Sequence, residues 1–212
     1  MNSLIGILVD GSSSMQGYEK STLAGLNKFI EYQQLRQDDC SLYLASFATH
    51  KGYYAVHRQF VSMFDARFME RDEYQPSGGT PLYASSHKLI DDMDAHISTL
   101  PENERPPLVT VIIQSDGGDT QGGNGPQSLE RLHRKMIEHQ AKNWQFVYLG
   151  LRYMHVNRQN NLPKEPELSQ PMGLPWDAAI WYNAKTTDVT FEALAKNVLE
   201  SSVTGRIKPV IL

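Results

Sequence analysis

The sequence predicts an α/β protein with a Rossmann-like, doubly wound and mostly parallel central sheet that carries helices on both faces. Two observations lead to this prediction. Apolar runs of strand length alternate along the chain with longer stretches whose apolar residues recur at helical spacing. The first strand-like run, Leu4–Val9, is continuously apolar, which is typical of a strand buried on both faces of a parallel sheet. Such sheets bind ligands beyond the carboxyl ends of their strands.

The chain up to Val61 is predicted to form three strands and one helix. The strands are Leu4–Val9, Cys40–Phe47 and Tyr54–Val61. The helix runs from about Tyr18 to Gln37, and its apolar residues share one stripe. The stripe consists of Tyr18, Leu23, Leu26, Phe29, Ile30 and Leu35.

After Val61 the chain is predicted to alternate helices with strands, which completes the α/β pattern. In order, the elements are a helix at Pro81–Leu100, a β-rich strand at Leu108–Ile113, a helix at Pro126–Ala141, a strand at Trp144–Leu149, a short strand at Ala178–Tyr182 and a helix at Asp188–Ser202. Residues 151–176 contain four prolines and little periodicity, so we expect an elaborated loop there.

Length and composition indicate one globular domain over residues 1–212. The net charge is −4 and no dense run of lysine or arginine is present, which argues against nucleic-acid binding. The single Cys40 excludes an intrachain disulfide, and we expect no signal peptide or membrane span. The expected location is the cytoplasm.

Three polar turns follow or precede the predicted elements: Asp10-Gly11-Ser12-Ser13-Ser14, Ser77-Gly78-Gly79-Thr80-Pro81-Leu82 and Gln114-Ser115-Asp116-Gly117-Gly118-Asp119. Each turn alone has an ordinary structural explanation. Asp10 and the serines can cap the following helix, and Thr80 before Pro81 fits a helix N-cap. Asp116-Gly117 is a common turn dipeptide.

Together the three turns predict more, because the fold brings them to one edge of the sheet. They supply carboxylates and hydroxyls without nitrogen or sulfur, and this donor set suits a hard divalent cation such as Mg²⁺. The order and spacing of Asp10-x-Ser12-x-Ser14, Thr80 and Asp116 resemble the metal-ion-dependent adhesion site of von Willebrand factor A-type (vWA) domains. The similarity is greatest to the short single-domain forms of bacteria and their phages.

The resemblance implies a role for each of these five residues. Ser12 and Ser14 would bind the cation directly, and Thr80 directly or through water. Asp10 and Asp116 would act mainly through water and by orienting the hydroxyls. The ion would be Mg²⁺, or Mn²⁺ or Ca²⁺, and its open coordination position would accept a partner's Asp or Glu.

The predicted topology also places a partner-facing surface at this edge. Its candidate residues are His50, Tyr53, Asp119, Arg152 and Tyr153. The resemblance implies a protein partner, such as a chaperone-like ATPase or a component of a stress-response or phage-defence system.

The resulting interpretation is a metal-dependent protein-interaction module rather than an enzyme. One alternative is a Mg²⁺-dependent phosphoryl-transfer hydrolase with Asp10 as nucleophile, although Ser12 stands where a second carboxylate is expected. No Gly-x-x-x-x-Gly-Lys-Ser/Thr phosphate loop or His-Glu-x-x-His zinc motif is present. The other alternative is a metal-free scaffold of the same fold.

Overall fold

The structure is a computed structural model that describes residues 2–35, 39–50, 52–116, 118–120, 125–151, 179–182 and 190–196. Its strands are β1 (Ser3–Asp10), β2 (Cys40–Ala48), β3 (Tyr53–Ser62), β4 (Leu108–Ser115), β5 (Trp144–Leu151) and β6 (Ala179–Tyr182). Its helices are α1 (Glu19–Leu35), α2 (Leu82–Thr99) and α3 (Gly125–Gln140), and residues 190–196 are also helical.

The six strands form one sheet in the order β3-β2-β1-β4-β5-β6. All neighbours pair in parallel except β2 and β3, which are antiparallel. The strand order reverses beside β1, because the chain first builds β2 and β3 on one side and then β4, β5 and β6 on the other. Asp10 therefore ends its strand at a topological switch point, the position where open α/β sheets bind ligands.

The core lies in two layers, one on each face of the sheet. Ile5, Ile7 and Val9 of β1 pack in the layer that contains α1 and the helix at 190–196. Leu4 and Leu8 pack in the opposite layer with α2 and α3. Burial of one such side chain contributes about 2 kcal/mol, so β1 is anchored in both layers and its carboxyl end is held in place.

The strands are longer than the apolar runs that predict them. β1 continues through Asp10, and β4 continues through Gln114 and Ser115. Leu35, which belongs to the apolar stripe predicted for this helix, is 74% exposed at the end of α1. Leu151 belongs to β5 rather than to the predicted loop, whose remaining residues lie outside the described ranges. None of the described helices is long and apolar enough to cross a membrane.

The β3–α2 segment, residues 63–81, crosses from the α1 layer to the carboxyl edge of the sheet. Beyond one turn of 3-10 helix at Met63–Asp65 it has little regular structure, and side chains satisfy much of its backbone. Asn27 exchanges two hydrogen bonds with the main chain of Met69 (3.0 and 2.8 Å). The side-chain amide of Gln34 donates to the carbonyls of Met63, Phe64 and Ala66.

Arg58 makes the largest set of these contacts. Its buried guanidinium donates to the carbonyls of Arg67 (2.9 Å) and Phe68 (2.6 Å). It also forms a two-pronged ion pair with Glu73, at 2.8 and 3.1 Å. This pair holds the pKa of Glu73 down, at about 2. Arg58 thus fixes the middle of the segment to the edge strand β3.

We expect Arg58→Met to lower the free energy of unfolding by about 3 kcal/mol, because it removes a charged partner and leaves carbonyl groups without donors. Lys28→Met is the matched control, since the ion pair between Lys28 and Glu31 is exposed (46% and 50%). The control should change stability by less than about 0.5 kcal/mol. Urea denaturation measures both values, and equal losses would show that Arg58 does not hold the segment.

Candidate metal site

Main-chain hydrogen bonds join the turn after β1 to the end of β2 and to the polar turn before α2. The amide of Gly11 donates to the carbonyl of Phe47 at 2.8 Å, which ties the turn after β1 to the end of β2. Ser77 donates to Gly11 at 2.7 Å, and Ser13 donates to Gly78 at 2.9 Å. The turn after β1 is therefore held between β2 and the β3–α2 segment.

Asp10 is completely buried, and both of its carboxylate oxygens accept hydrogen bonds. Oδ1 accepts from the amide of Ser12 at 2.8 Å, and Oδ2 accepts from the hydroxyl of Ser115 at 2.5 Å. Its carbonyl accepts from the hydroxyl of Tyr74 at 2.5 Å, and its amide donates to Gln114 Oε1 at 3.2 Å. Asp10 therefore fixes the shape of the turn and leaves neither carboxylate oxygen without a donor.

Ser12, Ser14 and Asp116 form a chain of side-chain hydrogen bonds across the switch point. The hydroxyls of Ser12 and Ser14 are 2.9 Å apart, and Ser14 Oγ donates to Asp116 Oδ1 at 2.9 Å. Ser12 and Asp116, at the two ends of this chain, are buried, whereas Ser14 between them is exposed, so the chain of oxygens reaches solvent at its middle. The side chain of Ser12 makes no capping hydrogen bond to the following 3-10 turn.

Asp116 carries the one uncompensated carboxylate oxygen of this group. It is 8% exposed, and its Oδ2 has no hydrogen-bond partner among the described residues. Burial, followed by the charge of Asp10, raises the pKa of Asp116 to about 6. Burial also raises the pKa of Asp10, and the hydrogen bonds from Ser115 and Ser12 oppose that rise. The site thus concentrates negative charge that the described residues do not neutralise.

Thr80 is buried in the loop before α2, two residues beyond the carbonyl of Gly78 that binds Ser13. The prediction that Thr80 caps α2 with Pro81 as first helical residue is wrong: α2 begins at Leu82, with Pro81 at the N-cap position. Asp119 supplies the cap, because its Oδ1 accepts from the amide of Leu82 at 3.0 Å. The hydroxyl of Thr80 is therefore not needed to start the helix.

The candidate partner-facing residues are only partly described. His50 is exposed in the turn after β2, beside the Gly78 loop, and Tyr53 begins β3. Asp119 is half-buried and acts as a helix cap, which its sequence context did not distinguish from an ordinary turn aspartate. Arg152 and Tyr153 lie outside the described residues.

Three residues that support Asp10 have no predicted role: Tyr74, and Gln114 and Ser115 of the third polar turn. Gln114 and Ser115 interrupt an apolar strand immediately before Asp116, and two polar residues in a buried strand are a usable signal. Tyr74 lies 64 residues from Asp10 in an aperiodic stretch, and no local pattern connects the two.

The donor set differs from the usual protein metal centres. Within the described ranges, no group of three His, Cys, Asp or Glu residues is arranged to hold a metal ion. The oxygens gathered here come from two carboxylates and from hydroxyls, which a hard cation accepts and a soft one disfavours. Asp116 Oδ2, buried and without a donor, is the atom that a cation would compensate most.

No protein-family model and no curated protein matches the sequence, but solved structures match its fold. The manganese-loaded TRAP protein of Plasmodium vivax aligns with 90% of this chain and 73% of its own, with a TM-score of 0.52 and 18% identity. The pilus adhesin SpaC of Lactobacillus rhamnosus GG aligns at a TM-score of 0.69 and 13% identity, over 95% of this chain and 30% of its own. The von Willebrand factor type A structure from Catenulispora acidiphila aligns at a TM-score of 0.60 and 16% identity, over 92% of this chain and 42% of its own.

These matches show that the protein has the vWA fold, as the sequence predicts. The chain spans less than half the length of the adhesin and of the Catenulispora acidiphila protein.

A substitution at Gly78 tests how closely its loop must approach the turn after β2. Its φ is +81°, and an added Cβ would lie 2.6 Å from Thr49 Oγ1 and 2.9 Å from the amide nitrogen of His50. Gly17 has a similar φ of +88° with nothing within 4 Å, so it is a matched control. Gly17→Ala should cost about 1 kcal/mol of stability and Gly78→Ala about 1–3 kcal/mol more, because it adds a main-chain clash. Thermal and urea unfolding check this, and equal costs would mean that the loops have room to separate.

The raised pKa of Asp116 predicts a pH dependence of stability in the metal-free protein. A carboxyl with a pKa of about 6 when folded and 3.8 as a model group binds more protons in the folded state. The stabilisation contributed by this carboxyl group is therefore fully present below pH 4 and is lost as the pH rises towards 6. Asp116→Asn lacks this loss, so its stability relative to the wild type should rise between pH 4 and 6 and then level off. Urea titrations in EDTA measure this difference, and a constant difference across that range would contradict it.

Proposed function

We propose that this protein is a metal-dependent interaction module in which a divalent cation at Asp10, Ser12, Ser14, Thr80 and Asp116 binds an acidic side chain of a protein partner. The observation that supports this most is the buried Asp116 Oδ2, which has no donor among the described residues. A buried carboxylate oxygen without a partner is costly, and a cation compensates it directly.

The burial of the oxygens supports an ion that is open on one side. Asp10, Ser12, Thr80 and Asp116 are buried, whereas Ser14 is exposed. A cation at this position would have protein oxygens beneath it and solvent above it. Neutral hydroxyls bound to the ion leave much of its positive charge in place, so an incoming Asp or Glu would bind strongly. The ion would be Mg²⁺, with Mn²⁺ or Ca²⁺ as substitutes.

The structural neighbours agree with this proposal. One of them is a manganese-loaded protein and another is a pilus adhesin. We carry both properties to this chain as part of the proposal: divalent-metal binding, and adhesion. The partner would be a chaperone-like ATPase or a component of a stress-response or defence system, and His50, Tyr53 and Asp119 would lie at its edge.

The geometry disfavours phosphoryl transfer. A nucleophilic Asp10 would have to present a carboxylate oxygen to the substrate, but the side chain is fully buried and both oxygens already accept hydrogen bonds. The position of Asp10 instead suits a residue that orients the turn at Ser12. A metal-free scaffold is also disfavoured, since it would leave the carboxylate oxygen Asp116 Oδ2 buried without a partner among the described residues.

The proposal is tested by Ser12→Ala, with Ser13→Ala as the matched control from the same turn. Ser12 is buried and in contact with Ser14, whereas Ser13 is exposed and is held through its amide. We expect Ser12→Ala to weaken Mn²⁺ or Mg²⁺ binding at least about tenfold and Ser13→Ala to leave it unchanged. Calorimetry on chelator-treated protein measures this, with acetate added to complete the shell.

Two outcomes would overturn the proposal: absence of divalent-ion binding by the wild type with and without acetate, or equal affinities in both serine variants. Circular dichroism of each variant confirms that the fold is retained, so that a loss of binding is assigned to the site.

A further inference from the structure

We propose that Thr49 and Thr120 are positioning residues that clamp the main chain of Gly79 and Thr80 from opposite sides and thereby set the metal affinity of Thr80. This inference rests on the proposed metal site and extends it to two residues outside the five-residue ligand motif. The two threonines come from different loops, the turn after β2 and the loop after β4.

Thr120 binds Thr80 through a pair of reciprocal hydrogen bonds. Its hydroxyl oxygen accepts from the amide of Thr80 at 2.7 Å, and its own amide donates to the carbonyl of Thr80 at 3.0 Å. Both bonds use the main chain of Thr80, so the Thr80 hydroxyl takes no part in the clamp and is left for the cation.

Thr49 binds the preceding residue in the same way. Its hydroxyl oxygen accepts from the amide of Gly79 at 2.6 Å, and its amide donates to the carbonyl of Gly79 at 3.1 Å. The two clamps use both polar main-chain groups of both residues. Pro81 follows and has no amide proton, so the amides before it are the ones available to hold the loop.

The start of helix α2 does not account for these clamps. Asp119 already caps that helix through the amide of Leu82, so Thr120 is not needed for this purpose. In the proposed site, Thr80 and Ser12 supply hydroxyl ligands from different loops, and such a ligand must be placed within a few tenths of an ångström to bind a small cation. Four hydrogen bonds on two consecutive residues provide that placement. Removal of one hydroxyl acceptor leaves a part-buried amide without its partner and releases one side of the loop.

The experiment compares valine and serine at each threonine. Valine keeps the shape and removes the acceptor, whereas serine keeps the acceptor. Thr99→Val is the control, because Thr99 Oγ1 also makes a hydrogen bond, to the carbonyl of His96 at 2.7 Å, at the far end of α2. For each variant, Mn²⁺ affinity is measured by calorimetry, and the free energy of unfolding is measured separately in EDTA.

We expect Thr120→Val and Thr49→Val each to weaken Mn²⁺ binding about tenfold, the loss typical when a group that orients a metal ligand is removed. The serine variants and Thr99→Val should bind as the wild type does. Thr120 is exposed, and Thr120→Ala removes the same acceptor without new bulk if the valine variant does not fold.

The outcomes separate this inference from the proposed function. If the valine and alanine variants lose stability but bind Mn²⁺ with wild-type affinity, while Ser12→Ala does not bind, the clamps are only structural and the inference is overturned. If the wild type itself binds no Mn²⁺, the proposed function fails and the inference fails with it.

Discussion

The burial of the Asp10 carboxylate is the constraint on which the arrangement of the site depends. A charged group with no exposed surface must find hydrogen-bond donors inside the protein. Only one of its two carboxylate donors, the amide of Ser12, is local; the other, the Ser115 hydroxyl, comes from β4. Tyr74, from the β3–α2 segment, holds the Asp10 carbonyl. To satisfy one aspartate, the chain must place β4 beside β1 and bring the β3–α2 segment over the end of β1, and this also assembles the candidate metal ligands.

The β3–α2 segment shows how an irregular stretch can be positioned as firmly as a strand. Its carbonyls are bound by the side chains of Arg58, Asn27 and Gln34, which belong to β3 and α1. These elements are themselves fixed by the core, and their contacts determine the path of the segment. That path places Tyr74 against Asp10 and Thr80 at the edge of the sheet. The placement of the candidate ligands at the edge of the sheet thus depends on contacts well away from it.

The sequence predicts the strands and helices, because buried strands and amphipathic helices leave a periodic pattern. It also predicts the meeting of the three polar turns, because a parallel topology brings them to the same edge of the sheet. Prediction from the sequence fails where two interacting residues are far apart along the chain or lie in a stretch without periodicity. Leu35 fits the apolar stripe of α1 but lies beyond the last turn that the core covers. The helix cap that Thr80 is expected to fit is supplied by Asp119 instead, since the choice of cap depends on a loop 37 residues away from Leu82. The ligand roles of Asp10, Ser12, Ser14, Thr80 and Asp116 stay predictions.

The two aspartates at the switch point have different roles although both are buried. Asp10 has its oxygens occupied and acts on the backbone, whereas Asp116 keeps one oxygen without a described donor and a pKa of about 6. A metal-free site of this kind is destabilised above that pH by its own uncompensated charge. A cation that binds only the folded state recovers this free energy, so part of its affinity would come from relief of the repulsion between Asp116 and Asp10. The same repulsion would make the site weak for a neutral ligand and selective for a cation, whose remaining charge can then attract an acidic side chain.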